Sequence, residues 1–155
     1  MKIAIVQIRG MCKVRKKVKD TLRMLNLPRK CSCAIVEVNP SLKGMLIAVQ
    51  DFITWGEIDT DTLKLLLEKR GRMPGGKRLE ESYLKEKTKK GFVEFAKALT
   101  DGKNSIKDVP GLKSFFRLNP PKGGFGNQGT KKPFSIGGAL GYRGAKINDL
   151  LKRMI

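Results

Sequence analysis

Lys2-Ile3-Ala4-Ile5-Val6-Gln7-Ile8 opens the chain with a β-branched, apolar run that has no polar side. A strand with one solvated face alternates apolar and polar residues, whereas a strand apolar on both faces is covered on both. Residues 2–8 therefore read as a central strand, ended by Arg9-Gly10. Outward from it, residues 13–26 place Val14, Val18, Leu22 and Leu25 on one helical stripe and Lys16, Lys19 and Arg23 opposite. Leu27-Pro28 stops that helix. Residues 31–38 read as a second strand. Asn39-Pro40 is a helix start, with Asn suited to the cap and Pro to the first position, and Leu42, Met45, Leu46 and Val49 follow as its apolar stripe. Residues 52–57 give a third strand, in which Trp55 reads as a packing residue. The first 58 residues are thus a β-α-β-α-β unit with short connections, a two-layer arrangement.

The remainder, 59–155, reads as an extension packed on that core. Asp59 or Thr60 starts a helix through Leu63, Leu65, Leu66 and Leu67, with Gly71 just past its end in the position that favours left-handed backbone. Residues 72–79 read as a linker, 80–90 as a charged segment compatible with a helix, and Phe92, Phe95, Ala96 and Leu99 as a short amphipathic helix. Residues 114–118 suit a short strand, 119–132 an extended basic loop, and 145–154 a closing helix.

The charge points to a partner. Lys and Arg number 33 against 14 Asp and Glu, a net charge of +19 over 155 residues. Such an excess opposes compaction, and a polyanion, most commonly nucleic acid, is its simplest cause. The positive residues cluster. Between Arg9 and Lys30 the chain carries Arg9, Lys13, Arg15, Lys16, Lys17, Lys19, Arg23, Arg29 and Lys30 against Asp20 alone, and residues 109–148 contain no acid. In the loop, Lys122, Lys131 and Lys132 accompany glycines at 123, 124, 126 and 129, whose bare backbone can approach phosphates. Such a loop is expected to be mobile when free and ordered on RNA. Aromatic content is 6%, so Phe125 and Tyr142 carry little stacking signal.

Enzyme chemistry finds no footing. Histidine, the commonest general acid or base, is absent, and no phosphate-binding loop, apolar carboxylate pair or nucleophile elbow occurs. Cys12, Cys31 and Cys33 are odd in number and wrongly spaced for zinc, so they read as small buried side chains in a reducing compartment. No metal, cofactor or small-molecule substrate is expected. No run nears the ~18 apolar residues of a membrane span, and the N-terminal run lacks a cleavage pattern. Contact with a membrane is not expected, and a cytoplasmic setting follows by default.

The order of local motifs resembles a known family. Val6-Gln7-Ile8-Arg9-Gly10, Thr21-Leu22-Arg23-Met24-Leu25-Asn26-Leu27 and Asn39-Pro40-Ser41-Leu42-Lys43-Gly44-Met45 look like the core of large-subunit ribosomal protein L-thirty. Thr54-Trp55-Gly56-Glu57, Leu67-Glu68-Lys69-Arg70-Gly71, Leu118-Asn119-Pro120-Pro121-Lys122-Gly123-Gly124, Gly137-Gly138-Ala139-Leu140-Gly141 and Ile147-Asn148-Asp149-Leu150-Leu151 look like its longer archaeal and eukaryotic form. The lack of a long basic N-terminal extension points to the archaeal type. The resemblance implies an α+β fold: a three-stranded antiparallel sheet in order 3-1-2, similar to a ferredoxin-like fold, with a mostly helical and loop C-terminal extension. It implies a structural role in the large ribosomal subunit and binding to large-subunit rRNA, with 5S rRNA and neighbouring ribosomal proteins as further contacts. By position it puts Arg9, Gly10, the basic face of the first helix (Lys13, Arg15, Lys16, Lys19, Arg23), Arg29, Lys30, Lys43 and Gly44 on or near RNA. The charge pattern adds Lys122, Gly123, Gly124, Lys131, Lys132 and Arg143. The alternative is a free-standing basic nucleic-acid-binding protein of chromatin or regulation, which would need a groove-reading helix that the sequence does not display.

Overall fold

Strand β1 (Lys2–Gln7) is the centre of the sheet, as its two apolar faces require. The computed structural model describes residues 2–102, 104–126 and 128–155. Helix α1 (Lys16–Met24), β2 (Ser32–Glu37), α2 (Pro40–Val49) and β3 (Ile53–Glu57) complete the N-terminal unit. Helices α3 (Thr60–Arg70), α4 (Glu81–Thr88) and α5 (Phe92–Thr100), strands β4 (Phe115–Arg117) and β5 (Gly141–Tyr142), and helix α6 (Ile147–Met154) follow, with short 3-10 turns between them.

The fold is α+β, but the sheet has five strands, not three, in order β4-β2-β1-β3-β5. Its central trio, β2-β1-β3, is antiparallel, with Ala4 opposite Ile35 on one side and Gly56 on the other. The extension supplies both edges. β4 pairs antiparallel with β2, and β5 pairs parallel with β3 over two residues. β5 is too short to leave a period in the sequence, which is why it was not expected.

Alternation along β1 and β2 divides the interior in two. Ile3, Ile5 and Ala34 point to a cluster under α1 and α2 that includes Leu22, Leu25, Leu42, Leu46 and Ile53, with Trp55 at its margin. Ala4, Val6, Cys33 and Ile35 point to a larger cluster with α3, α5 and α6, around Leu66, Phe95, Leu99, Phe116, Leu150 and Met154. Two faces, each with its own apolar set, are what a period-2 strand produces.

Local chemistry sets the boundaries. α1 stops before Pro28, because Asn26 adopts a left-handed backbone (φ 57). The Leu27 amide then donates to the Leu22 carbonyl (2.9 Å) and the Asn26 amide to that of Arg23 (2.9 Å), a Schellman closure that buries Leu27. Gly71 differs from expectation: its φ of −57 is not left-handed. Glycine is needed there for clearance, since a Cβ would collide with the Leu67 carbonyl oxygen. Residues 72–79 are more than a linker, because Arg72 and Arg78 form a β-bridge and Leu79 is buried. Cys31 and Cys33 are buried as expected, but Cys12 is exposed.

The stretch 119–132 is a series of turns bonded to the body, not an extended loop; Asn127 lies outside the described residues. The Asn119 amide donates to the Met154 carbonyl (3.0 Å) and the Lys122 amide to that of Arg153 (3.2 Å). Arg153 Nη1 donates back to the Gly124 carbonyl (3.2 Å). Phe125 packs against the interior. Farther on, the Ala139 amide donates to the Lys132 carbonyl (2.9 Å), and a side chain on Gly138 would strike that same carbonyl.

Candidate nucleic-acid interface

Helix α1 presents its basic residues at an electrostatically adverse place. Its first turn holds Lys16 and Lys17 and no acid, and Arg15 stands at the cap position without making a capping bond. A helix N-terminus carries partial positive charge, so cations there are destabilising unless an anion joins them. The apolar stripe (half-buried Val18, buried Leu22 and Leu25) fixes the helix on the sheet. Lys13, Arg15, Lys16, Lys17 and Arg23 are thereby held in solvent.

Four of the expected residues converge. Lys19 and Arg23 from α1, with Arg29 and Lys30 from the loop before β2, line one open hollow of about 510 Å³ together with Met11, Cys12 and Pro28. The Schellman turn and Pro28 reverse the chain, which brings 29–30 beside 19–23. Arg23 makes one exposed ion pair, with Asp20 at 3.5 Å. Arg9 is less free than the sequence suggested. Its guanidinium lies over the Phe52 ring (5.1 Å to the centroid) and donates to the Asp51 carbonyl (3.1 Å). Gly10 and Gly44 are exposed in open space, so neither is glycine for want of room. Lys43 is exposed on α2.

The described residues contain no group of three His, Cys, Asp or Glu side chains placed to hold a metal, and no helix long and apolar enough to cross a membrane.

Comparison with known proteins identifies the family. The profile described as "Ribosomal protein L30p/L7e" matches residues 3–53. Large ribosomal subunit protein uL30 of Methanopyrus kandleri is 48% identical over 149 residues, covering 96% of this chain and 100% of that protein. The uL30 of Nanoarchaeum equitans is 51% identical over 152 residues (98% and 97%), and that of Methanococcus maripaludis 48% identical over 155 (100% of each). The chain belongs to the uL30 family.

The uL30 relatives span the extension as well as the matched core. Lys122, Lys131 and Lys132 are exposed but do not line the α1 hollow. Lys132 Nζ donates to Gln128 Oε1 (2.7 Å). Gly123 and Gly124 are exposed turn residues. Arg143 must be corrected: it is 7% exposed and serves the fold. Its Nη2 donates to the Ala139 carbonyl (3.1 Å), its Nε reaches Thr54 Oγ1 (3.4 Å), and its guanidinium sits 4.3 Å from the Phe134 ring centroid. Burial, and then the Arg153 charge, lower its pKa. An arginine followed by glycine in an acid-free stretch gave no sign of that role.

A second basic hollow was missed as a site. It shares Pro28 and Arg29 with the first and adds Arg70, Arg72, Lys113 and Arg117. These come from parts of the chain that only the folded β4 edge brings together. The one local sign was Phe115-Phe116-Arg117, where alternation puts Phe115 and Arg117 on one side and Phe116 in the core.

Proposed function

We propose that the chain is a structural, non-enzymatic constituent of the large ribosomal subunit, working in the cytoplasm bound to rRNA and to neighbouring ribosomal proteins. The observation that carries this reading is the unspent charge. Against 33 Lys and Arg, the described residues form two ion pairs, Arg23–Asp20 and Lys85–Glu81, both exposed. A fold that leaves its cations unpaired and gathers four of them around one hollow suits the phosphate backbone of folded RNA, where each contact releases counterions. The uL30 relatives, named as proteins of the large ribosomal subunit, supply the setting. The RNA face in this reading is the α1 side: Lys13, Arg15, Lys16, Lys19, Arg23, Arg29 and Lys30, extended by Lys43. Within the subunit, 5S rRNA is a further expected contact.

Sedimentation of a lysate through a gradient at rising salt tests the proposal. The chain is expected to travel with large subunits through a moderate-salt wash and to leave at higher salt. Binding to deproteinised large-subunit rRNA should weaken with a log–log salt slope of about −3 for the four residues of the α1 hollow alone, at ~0.7–0.9 per phosphate. Recovery at the top of the gradient at physiological salt, with equal affinity for unrelated duplex DNA, would favour a free-standing nucleic-acid-binding protein instead. Competition between deproteinised 5S and large-subunit rRNA addresses the 5S contact separately.

A further inference from the structure

Five cations meet at the β4 edge. Arg29 precedes β2, Arg70 ends α3, Arg72 follows it, Lys113 precedes β4 and Arg117 lies within it; together they line a hollow of about 640 Å³ with no carboxylate in its wall. Converging like charges repel, and among the described residues no Asp or Glu side chain pairs with any of the five. Arg70 Nη2 is held by an oxygen of Ile155, the last residue of the sequence (2.6 Å), and Arg72 Nη1 reaches the Gly76 carbonyl at 3.4 Å, which neutralises no charge. Arg70 Nε is buried with no partner. Among the described residues Arg29, Lys113 and Arg117 form no ion pair or side-chain hydrogen bond, and all three are exposed.

The hollow also holds a ring. Phe115 is half-buried in its wall, on the same side of β4 as Arg117, while Phe116 is driven into the core on the other side. The volume lies within the ~300–1,000 Å³ common for small-ligand sites. An aromatic face flanked by cations is the arrangement that stacks an unpaired base and holds the phosphates on either side. A-form duplex cannot deliver a base there, because its bases stay stacked within the helix.

We propose that the β4-edge hollow is a second RNA-binding site, which takes a single-stranded stretch of rRNA with one base on Phe115 and its flanking phosphates on Arg72, Lys113 and Arg117. Through Arg29 it continues the α1 hollow, so one strand can run from α1 to the β4 edge. The inference rests on the rRNA-binding reading above and assigns three basic residues and a ring that the sequence reading left out of the interface.

The test uses the full chain and two variants: Phe115→Leu, and the triple Arg72→Gln, Lys113→Gln, Arg117→Gln. Each is titrated against an unpaired RNA oligonucleotide, a matched RNA duplex and deproteinised large-subunit rRNA at rising salt. Thermal melting verifies that both variants fold. On the unpaired oligonucleotide the triple variant should lower the salt slope by about 2, at ~0.7 per lost contact. Phe115→Leu should keep the slope and weaken binding about tenfold, in line with one lost stacked base. Duplex binding should not respond to Phe115→Leu. If the parent chain binds rRNA steeply and both variants match it on every probe, the hollow is not an RNA site and the α1 reading stands. If the parent chain does not bind rRNA, both readings fall. A triple variant with reduced slope beside an unaffected Phe115→Leu would overturn the stacked strand. Variants that bind naked RNA normally but fail to enter large subunits would assign the hollow to a protein neighbour and overturn the proposal.

Discussion

The two faces of the sheet are built on different scales. The cluster beneath α1 and α2 draws every buried member from residues 3–53. The cluster on the other face runs from Ala4 to Met154 and needs α3, α5, β4 and α6 to close. The first is assembled from near neighbours in sequence and the second from contacts across most of the chain, which are costlier in loop closure. The family profile matches the same stretch, 3–53, that the local face occupies. The comparison teaches that the stretch the family profile matches is a half-closed structure. Its second side, with Val6, Cys33 and Ile35, is apolar and requires the extension.

The largest effect follows directly. A fragment of residues 1–58 should show no cooperative unfolding transition, because one whole face of β1 and β2 would lie in water and a ~60-residue domain is marginal even when closed. Urea titration followed by circular dichroism checks this. A sharp transition in the fragment would break the comparison and make the extension an independent addition. In the full chain, Phe95→Ala should cost ~3–5 kcal/mol and Leu22→Ala ~2–5 kcal/mol, as both side chains are wholly buried. Since the two faces share β1, β2 and β3, each variant should shift one common transition without splitting it. A biphasic curve for Phe95→Ala alone would show that the long-range face melts separately.

The same division explains what was legible in the sequence. β1, α1, β2, α2 and β3 could be read because each carries its own period and stop signal, and because the face they build closes locally. The α3, α5 and α6 helices were legible from their own periods, although the face they build closes only at long range. The five-stranded sheet was not: β4 was read as a strand at 114–118 but its pairing with β2 was not, and β5, two residues long, is specified by its partner rather than by pattern. The basic residues of 9–30 stood out as a run, and the Asn26–Pro28 reversal gathers Lys19, Arg23, Arg29 and Lys30. Arg70, Arg72, Lys113 and Arg117 are dispersed in sequence, so no local signal could group them. Arg143 looked like surface charge because nothing local announces that Phe134, Thr54 and Ala139 will surround it.

The smallest effect concerns Cys33, whose thiol projects from β2 into the long-range cluster. Burial pushes its pKa up from 9.0 to about 12. The folded chain therefore holds this thiol neutral where the unfolded chain would ionise it. Above pH 9 the unfolded state binds fewer protons than the folded state, so stability must fall as pH rises. The stabilisation from burying the neutral thiol is intact below about pH 9 and is lost progressively toward pH 12. One unit above the free-thiol pKa the loss is about 1.4 kcal/mol. The advantage of the parent chain over Cys33→Ala in urea should narrow by that amount between neutral pH and pH 10, a difference that cancels the titration of the many lysines. Thiol labelling sharpens the point near neutral pH. Cys12, which is exposed, should react at once, and Cys33 only when its face opens. Labelling of Cys33 at the global unfolding rate would mean that the extension and the core part together. Faster labelling would show the long-range face opening while the α1–α2 face stays closed, and the two faces would then differ in dynamics as well as in construction.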